Sequence, residues 1–135
     1  FGASQYVGPH GSNPLATRAT ASLAQSMLYT TFPEVGSSRD RSGFKAVADQ
    51  VQLVRYGMDC YAYALLALGH IDLVIEAGLN AYDIQAPIAV IKAAGGIVTN
   101  WHGQPAHDGG QVLAAANPAC HAAALELLRP FADPV

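Results

Sequence analysis

An α/β fold is predicted by three observations on this 135-residue sequence. From about residue 26 onward, runs of strand composition alternate with runs of helical spacing, the pattern that builds a sheet covered by helices. Residues 72–76 carry Leu73, Val74 and Ile75 without polar alternation, as a strand buried on both faces does. Hydrophobic residues make up 51% of the chain and charged residues only 13%, which excludes a disordered chain, a coiled coil and a solvated helical bundle. A chain of this length buries about two-thirds of its unfolded surface, so one core is sustainable without staples.

Each element has its own local reason. Residues 1–25 are rich in Gly, Ser, Thr and Pro and read as an irregular lead-in of loops, with residues 26–135 forming the α/β domain. The sequence opens on Phe1, not Met, which processing, an engineered start or a missing upstream portion would each explain. Residues 26–32 have strand composition and end at Pro33 and Gly36. Asp40 or Ser42 can cap a helix reaching about residue 52, with Phe44, Val47, Ala48 and Val51 on one face. Residues 51–55 form a short strand ended by Gly57. Asp59 then stands at an N-cap position before a helix over 60–68, apolar nearly all round and so expected to be buried on both sides. After the strand at 72–76, a loop over 77–81 leads into a helix from about Asp83 to Ala94, stopped by Gly95 and Gly96. Pro87 fits that helix only in its first turn. Strands at 97–100 and 111–116 follow, then a helix opened by Asn117 and Pro118 and anchored by Leu125, Leu127 and Leu128.

Charge and cysteine usage narrow the function classes. The net charge is −3, Arg39 and Arg41 are the densest basic pair, and Lys45 and Lys92 are the two lysines. No nucleic-acid groove can be built from so few cations. The longest apolar runs, at 61–69 and 112–116, fall short of the ~18 residues of a membrane span. No basic-then-apolar leader is present. Cys60 and Cys120 lack a CxxC spacing, as expected of reduced, buried thiols in a cytoplasmic protein.

The acids are few enough to weigh singly. Asp83, after the buried strand, is either a helix cap or a carboxylate for a metal or phosphate site at the strand's carboxyl end. Glu76 is either a solvated strand end or a pocket residue, because a buried acid is costly without partners. Asp59 carries the same choice between cap and site. The histidines show no ligand spacing and read as polar-loop residues, and Gly36-Ser37-Ser38-Arg39 is either a capped turn or an anion-binding helix start. There is no GxSxG elbow, P-loop or GxGxxG turn.

Tyr82-Asp83-Ile84-Gln85-Ala86-Pro87, followed by Ala93-Ala94-Gly95-Gly96-Ile97-Val98, resembles the C-terminal signature of the inositol monophosphatase-like family. Gly36-Ser37-Ser38-Arg39, the Asp72 to Glu76 strand and Asn117 after residues 112–116 agree in order and spacing, so the similarity covers about residues 26–128. Within the family, Arg55-Tyr56-Gly57-Met58-Asp59-Cys60-Tyr61-Ala62-Tyr63 looks closest to the histidinol-phosphate phosphatase branch. Lys92 and His102 depart from the commoner acids at their positions.

That resemblance implies the C-terminal half of a mixed, largely parallel α/β sheet with flanking helices. It implies Mg²⁺-dependent hydrolysis of a small phosphorylated metabolite, histidinol phosphate in histidine biosynthesis or, alternatively, inositol 1-phosphate. Asp83 would be the metal ligand beside the reacting water, and Glu76, Asp59, Ser37 and Ser38 would line the substrate pocket. The other Mg²⁺ ligands would lie in an N-terminal half, whose Asp-Pro-x-Asp-Gly-Thr segment this sequence lacks, so the isolated chain is expected to be inactive. Family members often form homodimers. A reading of another class is a non-catalytic interaction domain.

Overall fold

The computed structural model describes residues 2–134; Phe1 lies outside them. Five strands form one sheet in the order β4-β3-β5-β7-β6. They are β3 (Met27–Thr30), β4 (Leu53–Tyr56), β5 (Leu73–Leu79), β6 (Ile97–Thr99) and β7 (Gly110–Ala115). β3 pairs parallel with β4 and β5, while β7 runs antiparallel to both β5 and β6. Four strands therefore share one direction, the mixed, largely parallel sheet that was expected.

Helices cover both faces. On one, Leu28, Leu73, Ile75 and Leu113 pack with α1 (Ser38–Ala48), through Phe44 and Val47, and with α4 (Pro118–Leu128), through Ala124 and Leu128. On the other, Val74, Val112 and Ala114 pack with α2 (Tyr61–Ala67), through Tyr63 and Leu66, and with α3 (Ala81–Ala93), through Ile84 and Ile91. The unbroken apolar run in β5 follows directly: Leu73 and Ile75 feed one core, Val74 the other.

Several boundaries differ from expectation for identifiable reasons. The lead-in contains a hairpin, β1 (Gln5–Gly8) and β2 (Gly11–Pro14), and a 3₁₀ turn at Leu23–Gln25. Its strand residues are nearly all exposed, so they carry no alternating apolar signal. Residues 15–20 are tied to the domain: Thr17 N–H donates to the Ala94 carbonyl, and the Asn117 amide donates to the carbonyls of Arg18 and Thr20. Helix α1 is capped by Ser37, with Asp40 as its partner three residues on, rather than by Asp40 or Ser42. Helix α2 is exposed at Tyr61, and Cys60 is exposed rather than buried.

β5 runs on through residues expected to be a loop. Its register against β7 shifts between Glu76 and Leu79, with Gly78 at φ +76°, a bulge that a glycine accommodates without strain. Helix α3 consequently begins at Ala81, and Pro87 falls in its second turn. Lacking an N–H, Pro87 leaves the Asp83 carbonyl without its helical donor.

Candidate active site

Because β3, β4 and β5 lie side by side and point the same way, their carboxyl ends emerge along one edge of the sheet. Ligand sites of open α/β sheets form at such edges. Here a cleft of about 640 Å³ opens, lined by Thr31 and Phe32 after β3, Asp59 and Cys60 after β4, residues 76–79 of β5, and α3 from Tyr82 to Pro87. Tyr63 of α2 completes the wall. Asp83, Glu76 and Asp59 thus meet in one cleft, and no Lys, Arg or His lines it. That balance suits a cationic occupant, either a metal ion or an organic cation.

Glu76 is held from the neighbouring strand. The register that pairs Leu28 with Leu73 and Tyr29 with Val74 brings Thr31 beside Glu76. There the Thr31 N–H and hydroxyl each donate to Glu76 Oε1 at 2.7 Å. Burial pushes the Glu76 carboxyl above the usual carboxylate range, the Thr31 bonds and the neighbouring Thr30 hydroxyl oppose that rise, and the Asp59 charge adds to it. Asp83 both caps and remains available. The Asn80 N–H donates to its Oδ2 at 2.8 Å and the Asp83 N–H donates to the Asn80 carbonyl at 3.0 Å. Its Oδ1 has no partner among the described residues. Asp59 is exposed and adopts φ +48°, the left-handed region. It therefore does not cap α2 by its side chain. Its backbone carbonyl instead accepts from the Ala62 N–H at 3.1 Å. Asp is among the few non-glycine residues that visit this conformation.

Ser37 and Ser38 are not among the residues lining the cleft. The Ser37 hydroxyl accepts from the Asp40 N–H at 3.2 Å, and the Ser37 N–H donates to Asp40 Oδ2 at 2.7 Å. They stand beside Gly36, where an added Cβ would come within 2.9 Å of the Ala77 methyl on the cleft wall. The preceding loop is therefore pressed against the rim. Burial alone would raise the Asp40 carboxyl, yet it lies below the usual range because Gln111, the Ser37 backbone and hydroxyl, and the Arg39 charge favour its ionised form.

The model of the inositol monophosphatase family matches residues 5–131. The chain belongs to the inositol monophosphatase family. A bifunctional phosphatase, IMPL2, from Arabidopsis thaliana is 48% identical over 90 residues, which are 67% of this chain and 26% of that protein. An inositol monophosphatase from Zymomonas mobilis superposes with a TM-score of 0.82 at 32% identity, over 87% of this chain and 49% of that one. Mycobacterium tuberculosis SuhB shares the fold, with a TM-score of 0.76 at 23% identity, over 94% of this chain and 50% of its own. The chain therefore spans about a quarter of the plant protein and half of the solved structures.

Against this family background, the donor chemistry of the cleft is hard oxygen, which fits Mg²⁺. The described residues contain no group of three or more His, Cys, Asp or Glu able to hold a metal, so this chain does not by itself form a closed metal site. Two cleft residues escape sequence reasoning. Thr31 is tied to Glu76 only through strand register, which a single sequence does not reveal. Tyr63 shares helix α2 with a second tyrosine, Tyr61, and only burial, 5% against 54% exposed, separates the two.

Proposed function

We propose that this chain forms the C-terminal half of an Mg²⁺-dependent phosphomonoesterase acting on histidinol phosphate. The observation that carries the reading is the cleft itself: three acidic side chains and no basic one at the carboxyl edge of parallel strands. No side-chain cation among the described residues lines the cleft to hold a phosphate ester, which favours metal ions facing its oxygens. Asp83, with Oδ1 free, is the residue that would hold one. The family is generally Mg²⁺-dependent, and bound Mg²⁺ supplies charge neutralisation at phosphoryl oxygens and activation of water.

The remaining residues divide the work of binding. Glu76, fixed by Thr31, and Asp59, held at the mouth, present negative charge to the ammonium and imidazole of histidinol. Ser37 and Ser38 follow Gly36, which approaches the cleft wall at Ala77, and would reach the substrate only from that loop. The other metal ligands would come from an upstream half, and without it the chain is expected to be inactive. Two free cysteines suit a reducing compartment, and we place the enzyme in the cytoplasm.

Inositol 1-phosphate is the second reading, favoured by the 32% identity to the Zymomonas mobilis inositol monophosphatase. Phosphate release by the intact protein from histidinol phosphate, inositol 1-phosphate and p-nitrophenyl phosphate separates the two. Glu76→Gln and Asp59→Asn should impair only the first. Equal impairment on all three overturns the pocket assignment, and turnover by this chain alone overturns the half-enzyme reading.

A further inference from the structure

One buried group in the cleft wall has no hydrogen-bond partner among the described residues. Tyr63, in the first turn of α2, is only 5% exposed, lines the cleft, and buries its phenol oxygen without a hydrogen bond. Burial, and then the charges of Glu76, Asp83 and Asp59, push the phenol up, so it stays an O–H donor at any working pH. Buried polar groups in native proteins are nearly all bonded, and an orphan calls for an explanation. Among the described residues Thr30 Oγ1 and Asp72 Oδ1 are also without a geometric partner, and the Thr30 hydroxyl lies close enough to Glu76 to favour its ionised form. Neither lines the cleft, and Asp72 already engages Arg18 and the Met27 N–H through its other oxygen.

We propose that Tyr63 is a positioning residue for Glu76, its O–H being the donor that takes up the second carboxylate oxygen when Glu76 engages the non-phosphate part of a substrate. The proposal rests on the reading of the cleft given above. Thr31 anchors Oε1 from β3, whereas Tyr63 approaches from α2, packed across the same face of β5 as Val74. With one oxygen anchored, the carboxylate plane can still turn about its Cγ–Cδ bond. With both anchored, its direction toward the ligand is fixed. A donor left idle in the free protein and bonded in the complex makes the site reject ligands that do not draw Glu76 into place.

The test is a double-mutant cycle in the intact phosphatase, with Tyr63→Phe, Glu76→Gln and the pair, assayed on histidinol phosphate and p-nitrophenyl phosphate. Losing the bond made by a donor that is buried and idle in the free protein should raise KM for histidinol phosphate about five- to a hundredfold. kcat should change less than KM, and both constants for p-nitrophenyl phosphate should change several-fold less than those for histidinol phosphate. In the Glu76→Gln background, Tyr63→Phe should add nothing. Equal losses on both substrates, or the same loss with and without Glu76, overturn the proposal. A readout independent of turnover is the ¹³C resonance of the Glu76 δ-carboxyl, assigned by its absence in Glu76→Gln. It should move on addition of histidinol and move less in Tyr63→Phe, and equal movement counts against the proposal. Tyr63→Met, which keeps bulk without a donor, repeats the cycle if phenylalanine disturbs the fold. Should the intact protein hydrolyse inositol 1-phosphate alone, the histidinol reading fails, and the same cycle on that substrate still decides the role of Tyr63.

Discussion

Tyr63→Phe should stabilise this chain, an unusual outcome for deleting a polar atom from a core. The hydroxyl has no bond to lose, while its burial strips it of water. An unsatisfied buried donor costs about 1–3 kcal/mol, and removing it recovers that amount. Unfolding entropy near 60 °C is about 2.1 cal/mol/K per residue, or about 0.28 kcal/mol/K for 135 residues. The melting temperature should therefore rise by about 4–10 °C. Thermal melts followed by circular dichroism without substrate, paired with urea titrations, measure this directly. The urea midpoint should rise at constant m, since the denatured state is little changed. Tyr61→Phe is the control: Tyr61 is 54% exposed, so its melt should stay within about 2 °C of wild type. An unchanged or lower melting temperature for Tyr63→Phe would mean that the phenol is already bonded in the free protein. No idle donor would then remain for Glu76.

Three further outcomes follow from the same geometry. Asp83→Asn keeps an acceptor for the Asn80 N–H and should melt near wild type, whereas Asp83→Ala loses that bond and should cost about 0.5–1.5 kcal/mol in denaturant titrations. Both should abolish phosphate release by the intact protein if Asp83 is a metal ligand. Glu76 has a folded pKa raised above 4.5, so its contribution to stability is fully present below that value and is lost as pH rises through the folded value. The stability difference between Glu76→Gln and wild type should accordingly grow from acid to neutral pH in the variant's favour, by urea unfolding across pH 4–8. Gln111 donates to Asp40 Oδ1 at 2.6 Å and to the Phe131 carbonyl, and accepts from the Asp133 N–H. Gln111→Leu should cost about 1.5–3 kcal/mol by leaving a buried carboxylate short of a donor. Since Asp40 lies below 3.8, its stabilisation is present above that value and lost as pH falls through the folded value. That acid-side loss should shrink in Gln111→Leu.

What the sequence made legible was local. The apolar run at 73–75, the helix stop at Gly95 and Gly96, and Asn117 with Pro118 each carry their own conformational reason, and all three stand in the structure. Ser37 with Asp40 is a capping box readable from spacing alone, Asp40 standing at the third helical position rather than at the cap. Less local features were hidden. The bulge at Gly78 depends on the partner strand β7, and moving the start of α3 displaced Pro87 to its second turn. The left-handed turn at Asp59 is a backbone state that Asp shares with many ordinary positions. The β1–β2 hairpin is written in exposed residues, so hydrophobic periodicity is silent there.

The same distinction explains why the site was legible in its acids and not in their supports. A carboxylate at the end of a buried strand stands out, because desolvation makes it expensive wherever it lacks a reason to be there. The residue that makes Glu76 tolerable is Thr31, contributed by a strand more than forty residues away in sequence. Its identity has no meaning until β3 and β5 are in register. Tyr63 inverts that logic: its ring satisfies the apolar pattern of α2, so the sequence offers no cause to notice the oxygen at its tip. Burial without a partner converts it from packing into a candidate for function. On the proposed reading, Thr31 sets where Glu76 sits in the free protein and Tyr63 sets where it points in the complex. The stability melt and the substrate cycle therefore probe two ends of one arrangement: a hydroxyl that costs stability while idle and returns it as specificity on binding.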